Sequence, residues 1–263
     1  MKVVFFVKEG AEKLAEEVMN VLEIVYGGVV VVENTSEADY VFSVGGDGTM
    51  VHALKMSNGA PVVGVNGGTL GYLAEIEAKS LYSQLFHLYH DRHSVEKHHM
   101  LDCKVTRNGK VVFKSEAIND CIVSRSTAFD MIRFDLYIGS RFVKQYNADG
   151  FVVATPLGST AYSLSCGGPI IEPTSKLIEL TPIAPHSLMN RSIVVDDTKS
   201  VNLVVNDSRN NNQNTLLSLD GEAPFCLEVG DVVNIKKSKK VANIVRLKND
   251  SFVEALAKKM NGN

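Results

Sequence analysis

Three segments of this 263-residue chain gather residue types that hold phosphate or polyhydroxyl groups rather than fill a core. The first is Gly45-Gly46-Asp47-Gly48-Thr49, between the apolar run Tyr40 to Val44 and the helical pattern Met50 to Ser57. Glycines let a backbone approach an anion and turn its N–H groups inward, and a helix starting near Thr49 adds unpaired donors and the positive end of its dipole. Such a cradle holds phosphate without a lysine. Asp47 stands in the middle of it, and a carboxylate repels phosphate unless a proton or a metal ion reconciles them. That conflict points to chemistry rather than to a plain turn. Neither GxxxxGK[ST] nor GxGxxG occurs here, so the two commonest nucleotide motifs do not explain the segment.

The second segment, Gly64 to Gly71, also follows an apolar run. Two glycine-rich turns at the carboxyl ends of neighbouring strands are where open α/β sheets bind ligands. The third, Thr155-Pro-Leu-Gly-Ser-Thr-Ala-Tyr-Ser163, is followed by Gly167-Gly168-Pro169 and preceded by Asn119-Asp120 and Asp149-Gly150. Hydroxyls and glycines at that density suit the walls of a site for a polar ligand.

Elements able to position these segments can be read from periodicity. Val3 to Val7, Val29 to Val32, Tyr40 to Val44 and Val62 to Val65 read as strands. Helices separate them, at Ala11, Leu14, Ala15, Val18 and Leu22, at Met50 to Ser57, and at Leu81, Leu85 and Leu88. This alternation predicts an open, mostly parallel sheet with helices on its faces. After the charged stretch Asp91 to His99 the period becomes two, as in Ile132, Phe134, Leu136 and Ile138. Asn108-Gly109 and Gly139-Ser140 read as hairpin turns. Further strands are expected at Phe151 to Ala154, Val201 to Val205, Leu216 to Leu219, Val232 to Ile235 and Val241 to Leu247, giving a β-rich, antiparallel second half. Asn206 to Thr215 reads as a solvated loop, and Ser251 with Glu254 as a capping box opening a last amphipathic helix. The fold class is therefore α/β plus all-β. Residues 1–97 form the domain that carries Asp47, completed by about 248–263, and 98–247 form the β-rich domain.

Composition excludes several functions. Lys and Arg number 27 against 30 Asp and Glu, a net charge of -3, so no basic field for nucleic acid exists. Cys103, Cys121, Cys166 and Cys226 are scattered without a CxxC pair, as in a reducing cytoplasm, and no apolar run reaches the length of a membrane span. His87, His90, His93, His98 and His99 crowd one stretch, but no partner residues suggest a metal, and a solvated helix end and linker accounts for them. Lys236 to Lys240 reads as a charged hairpin turn, with steering of anionic nucleotides as the sharper option.

Taken together, GGDGT (Gly45 to Thr49), Asn119-Asp120, TPLGSTAYS (Thr155 to Ser163) and GGP (Gly167 to Pro169) resemble the motif set of the NAD kinase family. The resemblance extends over essentially the whole chain, including Gly64 to Leu73, Ala148-Asp149-Gly150 and Pro182-Ile183-Ala184-Pro185. GGDGT alone is shared with diacylglycerol and sphingosine kinases; the TPxGSTAYS segment is far more specific. The resemblance implies Mg²⁺-dependent transfer of the terminal phosphate of ATP, another nucleoside triphosphate or polyphosphate to the 2′-hydroxyl of the adenosine ribose of NAD. It also implies a cytoplasmic homo-oligomer, a homotetramer by family pattern.

By the same resemblance Asp47 is the catalytic aspartate that takes the hydroxyl proton, and Gly45, Gly46, Gly48 and Thr49 contact nucleotide through the turn. Asn119 and Asp120 match a pair that contacts NAD, the acidic position here being the shorter Asp. Thr160, Ala161, Tyr162 and Ser165 match the adenosine pocket, and Asp149 and Ala184 match NAD contacts reached across a subunit boundary. No protein metal ligand is assigned. Two alternatives share the GGDGT turn or the fold: a lipid or other small-molecule kinase, and a non-catalytic NAD-binding regulator.

Overall fold

Short, unbroken apolar runs make strands that are covered on both faces, which is the pattern a parallel sheet demands. The computed structural model describes residues 1–67, 73–74, 76–126, 131–187, 191–206, 215–247 and 252–260. Two units emerge, Met1–His98 with Lys240–Asn263, and His99–Lys239.

The first unit runs β1 (Lys2–Val7), α1 (Glu12–Tyr26), β2 (Val30–Val31), β3 (Tyr40–Val44), α2 (Asp47–Met56), β4 (Val62–Asn66), β5 (Ile76–Glu77) and α3 (Leu81–Tyr89). All pairings among these strands are parallel: β1 with β2 and β3, β3 with β4, and β4 with β5. β4 is buried along its whole length, and so is β3 from Val41 on. α1 buries Val18 and Leu22 against Val3, Phe42, Leu85 and Leu88, and ends at Gly27, whose φ of 63° is the left-handed C-cap that favours glycine. Gly64 is required for close packing, because a Cβ there would lie 2.8 Å from the Cα of Ala74 and 3.2 Å from the Met50 sulfur.

β6 (Ser94–Arg107) carries the chain into the second unit, which continues with β7 (Lys110–Ala117), β8 (Asp120–Arg125), β9 (Ile132–Ile138), β10 (Arg141–Ala148) and β11 (Gly150–Ala154). α4 (Tyr162–Ser165), β12 (Leu177–Ile183), β13 (Ile193–Asp196), β14 (Val201–Asn206), β15 (Thr215–Leu219) and β16 (Phe225–Leu227) follow. β17 (Val232–Arg246) leads back to the first unit, and α5 (Phe252–Met260) ends the described chain. Six strands form one antiparallel sheet in the order β13-β12-β11-β8-β15-β16, while β10, β9, β14 and the start of β17 pair antiparallel in another. Alternate residues point inward from both, so that Phe134, Leu136, Leu203 and Val233 share one core with Phe151, Val123 and Leu217. Asn108 and Gly109, with φ of 49° and 76°, make the expected hairpin turn between β6 and β7. An α/β body followed by a β-rich one is thus what the periodicity predicts.

Four expectations need correction. Lys236 to Lys240 is no hairpin turn: β17 continues through it, with the inward side shifting from Val233 and Ile235 to Ser238, Ala242 and Ile244, and Lys237 pairs at 2.5 Å with the buried carboxylate of Asp197. His98 and His99 are not a solvated linker. They lie in β6, where His98 is 1% exposed and bonds Glu96 at 3.2 Å, and His99 stands 3.9 Å from Asp197. α2 begins at Asp47 rather than near Thr49, and β2 shrinks to Val30–Val31. The loop expected at Asn206 to Thr215 falls mostly, and the Ser251 cap wholly, outside the described residues, as does the end of the Gly64 to Gly71 stretch.

The returning strand closes the first unit. Ile244 pairs in parallel with Val62, Val245 enters the core, and Asn243 donates to the Gly59 carbonyl at 2.6 Å. Arg246 donates to Glu96 at 2.8 Å and to the Leu73 carbonyl at 3.4 Å. The bond from His98 and the Arg246 guanidinium hold the Glu96 carboxyl down at about 2 against the opposing effect of burial. A depressed carboxyl stabilises the fold above its unfolded pKa and stops doing so as pH falls through its folded one. Arg246→Met should therefore cost about 1 kcal/mol in urea unfolding at pH 7. That cost should shrink as pH falls from about 4.5 towards 2, and a deficit independent of pH would show that the pair does not carry it.

Candidate active site

Strand ends decide where backbone donors become available. β3 stops at Val44, the Gly45 N–H bonds the Val65 carbonyl at 2.9 Å, and the Lys8 N–H bonds the Val44 carbonyl at 2.9 Å. The carboxyl ends of β1, β3 and β4 are thereby tied together. Gly45 has no room for a side chain, since a Cβ would lie 2.4 Å from Thr49 Oγ1 and 2.9 Å from Lys8 Cβ. Gly46 is the N-cap of α2 and offers no side-chain cap to the helix start. Asp47 is the first helical residue and is half-buried, and its Oδ1 accepts the Leu73 N–H at 3.0 Å. Gly48 is exposed and Thr49 half-buried on the same turn.

A cleft of about 720 Å³ opens beside this turn, lined by Gly45, Gly46, Asn66 and Gly67 and, from the segment after β1 and the start of α1, by Lys8 and Lys13 together with Glu9 and Glu17. The two lysines were not among the sequence candidates. The turn lacks a lysine in sequence but not in space, because β1 lies parallel beside β3 and ends level with it. The signal available was a lysine just beyond a strand predicted to lie in the same sheet. Gly67, from the second glycine-rich stretch, does reach the cleft, where a Cβ on it would lie 2.9 Å from the Leu14 Cδ2 of α1, a side-chain end that can shift. A helix start and two ammonium groups, of the kind that suit phosphate, thus share this cleft with the carboxylates of Glu9 and Glu17.

The second unit brings together most of its nominated residues. Asn119 and Asp120 open β8, and the Thr155–Ser163 segment folds over them: Thr155 donates through N–H to the Asn119 carbonyl at 2.8 Å and through Oγ1 to the Ile118 carbonyl at 2.7 Å. Gly158 touches the same spot, since a Cβ on it would stand 2.1 Å from the Asn119 oxygen. Not all the small residues line a site. Thr155, Ser159 and Ser163 are fully buried and bonded to protein, Ser163 to Glu179 at 2.7 Å, so these hydroxyls build scaffold rather than ligand-facing wall. Thr160, Ala161, Tyr162 and Ser165 remain accessible on the same turn.

Asp120 is 3% exposed, and burial followed by the nearby charge of Asp220 pushes its carboxyl up to about 7. Burial, Cys166, Asp120 and Asp149 together raise the Tyr162 phenol, which puts these groups in one electrostatic neighbourhood. Asp149 pairs with Arg125 at 2.8 Å, and its N–H bonds the Ile183 carbonyl at 3.0 Å, next to Ala184. Ala184 is exposed with φ of 40°. Asp220, absent from the sequence candidates, is the other acidic group that Asp120 feels.

Similarity to known proteins follows the same two-part division. Residues 11–93 match the ATP-NAD kinase N-terminal domain and 118–247 the ATP-NAD kinase C-terminal domain. The NAD kinase of Caldanaerobacter subterraneus is 38% identical over 227 residues, 86% of this chain and 79% of that protein. The NAD kinase of Lachnospira eligens is 38% identical over 248 residues, 89% of this chain and 84% of that one. Among solved structures, an NAD kinase from Archaeoglobus fulgidus in complex with ATP superposes with a TM-score of 0.75 at 26% identity, covering 97% of this chain and 98% of that one. Yeast NADH kinase complexed with NADH shares the fold, with a TM-score of 0.90 at 22% identity over 100% of this chain and 88% of that one. With both domains matched and relatives this similar over most of its length, the chain belongs to the ATP-NAD kinase family.

Proposed function

We propose that the chain phosphorylates NAD at the 2′-hydroxyl of its adenosine ribose, with Asp47 as general base and ATP as donor. One observation carries this reading: the Asp47 carboxylate, fixed by the Leu73 N–H, is one residue beyond the two glycines that line a lysine-bearing cleft. Phosphoryl transfer through a loose transition state needs alignment and charge neutralisation more than covalent help from the protein. Asp47 accepts the hydroxyl proton as the oxygen attacks the terminal phosphorus. Lys8, Lys13 and the amides at the start of α2, from Gly46 on, hold the phosphates and take up the charge that builds on the departing diphosphate, the Gly45 N–H being committed to the Val65 carbonyl. Asn119, Asp120 and the accessible face of Thr160 to Ser165 hold the acceptor nucleotide.

Magnesium fits this site as an ion carried by the donor phosphates, whose charge it neutralises when bound. The cleft offers ammonium donors beside the carboxylates of Glu9 and Glu17. A cradle of backbone and lysine reads phosphate rather than base, so other nucleoside triphosphates and polyphosphate are further donors. The working assembly is a homo-oligomer, a homotetramer by family resemblance, in which Asp149 and the exposed Ala184 meet NAD across a subunit boundary. Among the described residues no helix is long and apolar enough to cross a membrane, and the free cysteines, two of them fully buried, suit a reducing cytoplasm.

Purified protein with NAD, ATP and Mg²⁺ should yield NADP in a coupled assay with an NADP-specific dehydrogenase. Asp47→Asn should lower that rate by about 10³-fold or more while calorimetry still shows NAD binding within about threefold of wild type. Equal turnover in the variant would remove Asp47 from the mechanism. Lys8→Ala and Lys13→Ala should each raise the KM for ATP about fivefold, and the KM for NAD by less than about twofold. A rise in the NAD constant alone would assign the cleft to the acceptor instead.

A further inference from the structure

Asp220 follows β15 in a left-handed turn with Gly221, at φ of 51° and 75°, about a hundred residues from the segment it holds. Its Oδ2 accepts the Ile118 N–H at 2.8 Å, and its Oδ1 accepts those of Asn119 at 2.7 Å and Asp120 at 3.2 Å. The Asp220 N–H in turn donates to the Asp120 carbonyl at 3.1 Å. Thr155 takes the two remaining carbonyls, of Ile118 and Asn119. Every backbone N–H and C=O from Ile118 to Asp120 is therefore bonded, by just two residues. Three successive N–H groups converging on one point form an anion nest, and here the protein fills it with its own carboxylate.

We propose that Asp220 is a positioning residue for nucleotide capture, fixing the backbone that aims Asn119 and Asp120 and opposing the charge on Asp120. The proposal rests on the assignment of Asn119 and Asp120 to the acceptor nucleotide. Strand pairing joins Leu219 to Cys121, and a neutral residue at 220 would continue that ladder.

The titratable groups facing Asp120 are Asp220 across the turn, Tyr162 and Cys166 from the α4 side, and Cys121, with Cys103 behind it, from the core. Burial and Asp220 hold the Asp120 carboxyl near 7. The three N–H bonds give Asp220 the more favourable surroundings for a negative charge. Only an ionised Asp120 accepts ribose hydroxyls at full strength, so NAD capture should strengthen as pH rises through that value. Removing the opposing charge shifts the change to lower pH.

The test is the KM for NAD between pH 5.5 and 8.5, measured on full-length wild type, Asp220→Asn, Asp220→Ala and Asn119→Ala, each checked for folding by thermal unfolding. Wild type should show KM falling through an inflection near pH 7. Asp220→Asn keeps an acceptor oxygen but loses the charge, and its inflection should move down by about one pH unit or more. Asp220→Ala should raise KM for NAD about tenfold at pH 8, with kcat within about threefold and the KM for ATP within about twofold. An unmoved inflection in Asp220→Asn, or a wild-type KM in folded Asp220→Ala, overturns the proposal. If Asp220→Ala does not fold, the inflection in Asp220→Asn decides alone. Asn119→Ala separates the two claims. An unchanged KM there overturns the acceptor assignment and this proposal with it, whereas a raised KM beside wild-type behaviour in the Asp220 variants overturns this proposal only.

Discussion

In the proposed reaction two negative groups have to share the start of one helix. The helix dipole would draw phosphate to the α2 N-terminus, and Asp47 occupies the first position of that helix. A carboxylate left to itself there would swing to the nearest donors and fill the anion site. The Leu73 N–H holds it aside at 3.0 Å, and Arg246 of the returning strand holds the Leu73 carbonyl. Much of the first unit's construction follows from this. Parallel strands deliver Gly45, Lys8 and Gly67 to one edge, and glycine is forced wherever backbone meets backbone or side chain at less than contact distance.

The second unit solves a different problem, which is holding an irregular strand entry rigid without a helix long enough to do so. Hydroxyls supply what secondary structure does not. Thr155, Ser159 and Ser163 are buried because each hydroxyl replaces a missing backbone or side-chain partner, and Gly158 and Gly168 allow those partners to close up. The cost of burying a polar group is met by bonding it fully, and a fully bonded segment has one conformation. Accessible residues on such a turn present fixed positions to a ligand.

The parts of this architecture legible in the sequence are those set by local periodicity. The β1, β3 and β4 runs, the alternation from Ile132 to Ile138 and the Asn108-Gly109 turn all depend on neighbours within a few residues. What periodicity cannot show is charge neutralised from afar. Lys237 reads as turn-forming until Asp197 is brought beside it, and His98 reads as solvated until Glu96 and Arg246 surround it. Lys8 and Lys13 were missed as cleft residues for a related reason, since it is the β1–β3 pairing that sets them beside Gly45. Asp220 carries no local signal, because its three partners lie about a hundred positions earlier. The motif residues themselves were found because glycine and hydroxyl density is a local signal too.

The most direct measurement is a crystal structure of the protein with NAD, Mg²⁺ and a non-hydrolysable ATP analogue. The account predicts the 2′-oxygen of the adenosine ribose within about 3 Å of an Asp47 carboxylate oxygen, and the terminal phosphate against the start of α2 at Gly46. An Asp47 carboxylate turned away from the ribose, with the triphosphate seated elsewhere, would contradict it.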